Sequence, residues 1–297
     1  MMLLEGLKVS KILNEELKKK VEQLNRKPRL EIILVGDDPA SLIYVNSKVK
    51  TQSELGMVAN LNHFKENSDE DEIYEFIQKL NNDDSVDGIL LQLPVPKHMN
   101  QERLMDAISY KKDVDGFHTM NQGLLFQKRE GIRPATPKGI MMLLDYYGID
   151  VQSKHVVIIG RSQIVGAPLS KMFLDKNATV TITHSKTKDL PSITKQADIL
   201  VAALGKPKFV TYDMVKDGAI VIDVGINRVD GKLTGDVDFE AVKDKVSYIT
   251  PVPKGVGPMT ICALGYNLYE LYLNRNEREK WKYYLELLNG LSLYYSF

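Results

Sequence analysis

The chain has 297 residues, enough to bury one large or two ordinary cores, and 43% hydrophobic residues, the ordinary share for a globular protein. Basic and acidic residues balance at 39 each, so bulk charge does not draw the chain to nucleic acid or any other polyanion, and an anion site must be local. Cys262 is the single cysteine, which excludes an intramolecular disulfide and a thiolate metal cluster and favours a reducing, cytoplasmic setting.

The five histidines (His63, His98, His118, His155, His184) show no close metal-ligand spacing, so no metal is expected. The N-terminus MMLLEGLKVSK has too short an apolar run for a signal peptide. No segment approaches the roughly 18 apolar residues that span a membrane.

Taken in order, Leu13, Leu17, Val21 and Leu24 mark one stripe of a first helix. LEIILV (Leu30 to Val35) reads as a buried strand, with Gly36 opening a turn. Asp38 and Pro39 predict an N-cap and first helical position, and Gly56 a stop. On that helix Leu42, Val45 and Val49 predict the buried stripe, and Tyr44 and Lys48, four residues apart, share a face. A lysine at the edge of such a stripe is partly desolvated, which disfavours its charged form. The alternative is a solvated lysine whose stem covers apolar surface beside a core-edge tyrosine.

Met57 to Phe64 predicts a second strand, and Ile73, Phe76, Ile77 and Leu80 an amphipathic helix. GILLQL (Gly88 to Leu93) is a buried strand interrupted by the amide of Gln92 and ended by Pro94 and Pro96. A buried amide must find partners or cost about 1–3 kcal/mol. Near the C-terminal end of a parallel strand it faces the crevice where open α/β sheets bind ligands; bonding to local backbone is the alternative.

A short helix around Leu104 to Ile108 precedes the loop YKKDVDGFHTMNQG, whose polar and glycine content predicts a domain boundary near residue 120. Asp113 and Asp115 either bond a heterocycle carrying N–H groups or make a turn with Gly116. Thr136 and Pro137 predict the start of a helix bearing Ile140, Leu143 and Leu144, with Gly148 past its end.

HVVII, TVTIT, ILVAAL and AIVIDV then alternate with helical segments, a βαβαβ pattern of the dinucleotide-binding kind. The turn from Gly160 to Gly166 follows the first of these strands, with Ser162 where G-x-G-x-x-G has its second glycine. After the next strand stand His184, Ser185 and Lys186, with Lys188 beyond and no acid before Asp189. An NAD site places an acid there for the ribose 2′-OH. A hydroxyl and cations, with Arg161 in the turn, favour the 2′-phosphate of NADP.

Together these stretches resemble the bifunctional methylenetetrahydrofolate dehydrogenase/methenyltetrahydrofolate cyclohydrolase family. The resemblance runs from residue 1 to about 273. It is carried by Tyr44-x-x-x-Lys48, DGILLQLPVP, KDVDGFH, PATPKG, GRSQIVGAP, HSKT, DVGIN and PVPKGVGPMT. It implies an α/β fold of two domains: a folate-binding catalytic α/β/α domain over 1–120 and a Rossmann-like NADP-binding domain over 121–273 with a mostly parallel sheet. An active-site cleft would lie between them, and the last helix would pack back on the first domain.

Carried over, the family pattern makes Lys48 the central catalytic residue, oriented by Gln92, with Tyr44 stacking on the aminobenzoate and Asp115 binding the pterin. Pro258, in PVPKGVGPMT, would contact substrate. Gly160, Arg161, Ser162 and Ser185 would hold NADP, and Ile226 would line the nicotinamide side. The implied partners are tetrahydrofolate one-carbon derivatives and a second copy in a homodimer. The implied activities are oxidation of 5,10-methylenetetrahydrofolate and hydrolysis of the methenyl product to 10-formyltetrahydrofolate.

Three positions depart from the family pattern. Lys254 replaces the first glycine of PVPGGVGP and either adds charge near the folate tail or points to solvent, the second being favoured; Ala135 stands where cysteine is common, and Leu268 follows Asn267 where threonine is usual. Residues 274–297 extend past the family, and Trp281, Leu285 and Leu288 suggest an extra helix or tail. The other readings are a monofunctional dehydrogenase of this family, an NAD(P)-dependent dehydrogenase for another small substrate, and a nucleotide-sensing protein with a decayed site.

Overall fold

The computed structural model describes residues 1–276 and 280–281. The chain divides into two compact units, one of residues 1–14 and 115–264, the other of residues 15–114 and those from Gly265 onward. The division falls between Val114 and Asp115 instead of near residue 120, and the first fourteen residues go with the later unit.

The chain opens with β1 (Met2–Leu3) and α1 (Gly6–Glu22). Next come β2 (Arg29–Val35), α2 (Pro39–Glu54), β3 (Val58–Phe64), α3 (Glu70–Asn82), β4 (Gly88–Leu91) and α4 (Gln101–Ala107). The three strands of this unit form a parallel sheet in the order β3-β2-β4. Ile33, Val35, Ile89 and Leu91 turn one way, into a cluster with Ile73, Ile77 and Leu80 of α3 and Leu104 of α4. The alternating residues Leu30, Ile32, Leu34 and Leu90 are buried too. Both faces of β2 and β4 are covered, which is why these two strands read as nearly continuous apolar runs, whereas β3 at the edge is half-buried or exposed and carries Asn60, Asn62 and His63.

The C-terminal end of α3 is closed by a buried lysine. Lys112 Nζ donates to the carbonyls of Leu80, Asn81 and Asp83 at 2.9, 2.8 and 2.7 Å. Burial holds its pKa below the ordinary lysine value, and the Arg275 guanidinium pushes the same way.

The other unit contains α5 (Thr119–Phe126), α6 (Ala135–Tyr146), β5 (His155–Ile159), α7 (Gly166–Asp175), β6 (Thr179–Thr183) and α8 (Leu190–Thr194). It continues through β7 (Ile199–Ala202), β8 (Ile220–Asp223), β9 (Asn227–Val229), β10 (Lys232–Thr234), α9 (Phe239–Val242) and β11 (Tyr248–Ile249). The last long helix is α10 (Val256–Arg275). Six strands pair in the order β1-β11-β8-β7-β5-β6, all parallel, while β9 and β10 make a separate antiparallel hairpin. Side-chain alternation divides the core: Val156, Ile158, Ile199 and Val201 pack with Leu144, Leu169 and Phe173. Val157, Ile159, Leu200 and Ala202 pack with Val210, Val215 and Val242 on the opposite face.

Several boundaries differ from expectation. The strand through GILLQL ends at Leu91, and Gln92 lies one residue beyond it, its N–H still donating to Ile33 O at 2.8 Å. Helix α6 begins at Ala135 with Pro134 as its N-cap, two residues early; Pro137 is tolerated because first-turn N–H groups have no intrahelical acceptor. The polar loop turns helical at Thr119, where His118 Nδ1 accepts from Met120 N at 2.8 Å, an N-cap outside the usual Ser, Thr, Asp and Asn set. Of the expected tail helix, Trp281 is helical and exposed, and Leu285 and Leu288 lie outside the described residues.

Candidate functional site

Helix α2 starts as its sequence requires. The Asp38 carboxylate accepts from Ser41 N at 2.8 Å, and that bond holds its pKa below the usual carboxylate value. Pro39 takes the first helical position, and Gly56 leaves the helix at φ +79°. The buried face is not the expected Leu42, Val45 and Val49. It is Ser41, Val45, Lys48 and Gln52, with Leu42 and Val49 only half-buried. The apolar periodicity misplaced this face because three of its four residues are polar, and one of them, Lys48, finds its partner Gln92 44 residues along the chain.

Lys48 is 9% exposed, and its Nζ lies 3.1 Å from Gln92 Oε1. The Gln92 amide N–H donates to Leu93 O at 2.7 Å, which fixes the amide's orientation and turns its oxygen toward Lys48. Lys48 and Gln92 thus meet at the C-terminal end of β4, the edge of a parallel sheet where ligands bind. Tyr44, half-buried, sits one helical turn before Lys48.

The second half of α10 closes on this unit through small and polar residues. A Cβ at Gly265 would meet Leu55 Cδ1 at 2.9 Å and Gln52 Oε1 at 3.0 Å. Leu268 takes the space beside Gly88, and Asn267 Nδ2 donates to Val114 O at 2.9 Å. Asp113 is buried and bridges to Ile89. Asp115 falls in the other unit, where its carbonyl accepts from Ala135 N at 3.3 Å. Gly116, at φ +71°, makes a close turn in which a Cβ would strike the Arg133 backbone at 2.8 Å.

In that unit the turn after β5 shows why its glycines are needed. Gly160 has φ +127°, and a Cβ there would lie 2.2 Å from Ala203 O; one at Gly166 would lie 2.2 Å from Gly160 O. Ser162, in the second-glycine position, accepts from Val165 N at 3.2 Å and Gly166 N at 3.4 Å, so it caps the start of α7. Arg161 and Ser162 are exposed, as are Ser185, Lys186 and Lys188 after β6. His184 N donates to Thr187 Oγ1 at 2.9 Å and holds this short turn, which carries no carboxylate. A helix N-terminus, an exposed hydroxyl and nearby cations fit the phosphates of a dinucleotide. Ile226 is 44% exposed, and its side chain lies beside Gly257; Pro258 is half-buried at the start of α10. Lys254 is exposed and has φ +83°, a region natural to glycine.

Two buried carboxylates were not singled out from sequence. Asp223 accepts from Gly225 N, Asp236 N and Val237 N at 2.9, 2.9 and 3.0 Å. Burial pushes its pKa up to about 6, although these three donors pull it down. Asp236 accepts from Leu204 N, Gly205 N and Lys206 N at 2.7, 2.9 and 2.8 Å, and from Asn227 Nδ2 at 2.9 Å. The available signal was the glycine near each acid: a Cβ at Gly225 would strike Asp236 Cγ at 2.3 Å, and one at Gly235 would strike Asp223 Oδ2 at 1.8 Å.

Residues 4–115 match the family model for the tetrahydrofolate dehydrogenase/cyclohydrolase catalytic domain, and residues 134–276 that for the NAD(P)-binding domain. The bifunctional protein FolD of Acholeplasma laidlawii is 70% identical over 276 residues, which cover 93% of this chain and all of the relative. The crystal structure of the bifunctional methylenetetrahydrofolate dehydrogenase/cyclohydrolase from Campylobacter jejuni superposes with TM-score 0.91 at 49% identity, covering 93% of this chain and 99% of that one. The Trypanosoma brucei enzyme, solved with NADP and an inhibitor, gives TM-score 0.88 at 32% identity over 93% and 98% of the two chains. With both domain models matched and full-length relatives this similar, the chain belongs to the tetrahydrofolate dehydrogenase/cyclohydrolase family.

Proposed function

We propose that this chain oxidises 5,10-methylenetetrahydrofolate and hydrolyses the methenyl product to 10-formyltetrahydrofolate, with Lys48 as the proton-transfer group. The observation that carries the reading is the Lys48–Gln92 contact of 3.1 Å on a buried helix face at the end of a parallel strand.

The roles follow from the chemistry. In the hydrolytic step water adds to the methenyl carbon and loses a proton to Lys48 Nζ. The bond from that carbon to N5 then breaks as the new hydroxyl loses its proton and becomes the formyl carbonyl; N5 takes up a proton, so two protons are lost, one is gained and one is released overall. Gln92 holds the Lys48 amine in place, because its own N–H is committed to Leu93 O. Tyr44 offers a ring one turn away for the aminobenzoate, Asp115 binds the pterin N–H groups, and Pro258 contacts the substrate.

The oxidative step is mainly one of positioning. Gly160, Arg161, Ser162 and Ser185 would hold NADP, and Ile226 would flank its nicotinamide. When bound, NADP supplies the hydride acceptor that oxidises the methylene carbon. The absence of a carboxylate from His184 to Lys188 supports NADP over NAD. The chain is further read as a cytoplasmic homodimer. The buried free thiol of Cys262 accords with a reducing compartment, and no described helix is long and apolar enough to cross a membrane. The dimer rests on the family resemblance, and light scattering measures it.

The test is a pair of assays on purified protein. Methylenetetrahydrofolate is offered with NADP and then NAD, and hydrolysis of the methenyl compound is followed separately. Turnover in both assays with NADP preferred is the expected result. Hydride transfer without hydrolysis would reduce the chain to a monofunctional dehydrogenase.

A further inference from the structure

We propose that Asp223 and Asp236 are positioning residues for hydride transfer: two buried carboxylates that set the loops at the C-terminal ends of β7 and β8 against the cofactor turn after β5. The inference rests on the reading of Gly160 and Ile226 as cofactor residues.

The geometry forms one chain of contacts inside a single unit. The carbonyl of Ala203, just past β7, abuts Gly160 so closely that no side chain fits there. The next three residues, Leu204, Gly205 and Lys206, all point their N–H groups at the Asp236 carboxylate. The same carboxylate accepts from Asn227, the neighbour of Ile226. Asp223 ends β8 and accepts from Gly225 on the near side of Ile226 and from Asp236 and Val237 beyond it. Ile226 is therefore held on both flanks by acids that are 4% and 0% exposed.

Three neighbouring strand ends, those of β5, β7 and β8, are tied through these two acids. That edge is where a parallel sheet presents its ligand crevice. A carboxylate suits this role because it has about four lone-pair sites and no donor, so it gathers several backbone N–H groups at one point. Gly225 and Gly235 give it room, since a side chain at either would collide with the opposing acid. The Lys48–Gln92 pair belongs to the other unit. Misplacing the loops should therefore impair the reaction that needs the cofactor and spare the one that does not.

The experiment compares both activities in Asp236→Asn and in the milder Asn227→Ala, which removes only the donor from the Ile226 loop and serves if the first variant does not fold. Asn227→Ala is expected to raise KM for NADP or lower kcat of hydride transfer about tenfold, with methenyl hydrolysis unchanged within about twofold, because positioning errors of an ångström carry penalties of this order or more. The primary deuterium isotope effect on hydride transfer should rise as that step becomes slower. Unchanged hydride transfer in a folded Asn227→Ala protein would overturn the proposal, and so would equal loss of both activities. A wild-type chain that never reduces NADP would instead remove the cofactor reading beneath it.

Discussion

Lys112 and Lys48 are both buried lysines of the same unit, 5% and 9% exposed, and they serve opposite ends. Lys112 gives its three N–H bonds to three backbone carbonyls at the end of α3. Those acceptors are fixed, and the negative end of the helix adds to them, so the charge is locked in place. Lys48 meets a side-chain amide, itself oriented by one backbone carbonyl, with an aromatic ring one turn away. Burial does not separate a structural lysine from a chemical one. The nature of the acceptor does.

Substitutions test that distinction directly. Lys48→Met should lower methenyl hydrolysis by about 100-fold or more, the usual scale for a lost proton-transfer group, while circular dichroism stays unchanged. Unaltered hydrolysis would remove Lys48 from the mechanism. Lys112→Met leaves three buried carbonyls without their donor and should cost about 2–3 kcal/mol in urea unfolding, with activity per folded molecule preserved. A stable but inactive Lys112→Met protein would break the comparison.

Gln92→Ala should cost about tenfold in hydrolysis, or roughly 1.4 kcal/mol, because the lysine remains but loses its orientation. Gln92→Glu separates orientation from charge, since it keeps the shape and adds a counter-ion. The smallest effect belongs to a third lysine. Lys254 is exposed and strained at φ +83°, so Lys254→Gly should raise stability by up to about 1 kcal/mol in the same unfolding assay.

The strand–helix alternation was legible because parallel strands buried on both faces leave unbroken apolar runs. LEIILV and HVVII both became strands with almost the expected ends. Helix α2 was legible at its ends, where Asp38, Pro39 and Gly56 act locally, but not around its circumference. Three of the four residues on its buried face are polar, and Lys48 among them depends on a partner far along the chain, Gln92. Motif resemblance, not periodicity, put those two residues together in advance. The same distance hid Lys112, whose acceptors are about thirty residues upstream, and Asp236, three of whose donors lie as far away. Helix α5 was missed for a local reason: a histidine caps it, and its glycine reads as loop.

The pairing of β1 with β11 bears on the order in which the molecule is made. Met2 and Leu3 find their strand partners only at Tyr248 and Ile249, whereas the sheet of the other unit is complete within Arg29 to Leu91. During vectorial synthesis the short-range sheet can therefore assemble early, while Met2 and Leu3 wait for the chain to emerge as far as Tyr248 and Ile249. The same family architecture that joins two activities in one chain thus imposes a delay between its first strand and the strand it pairs with.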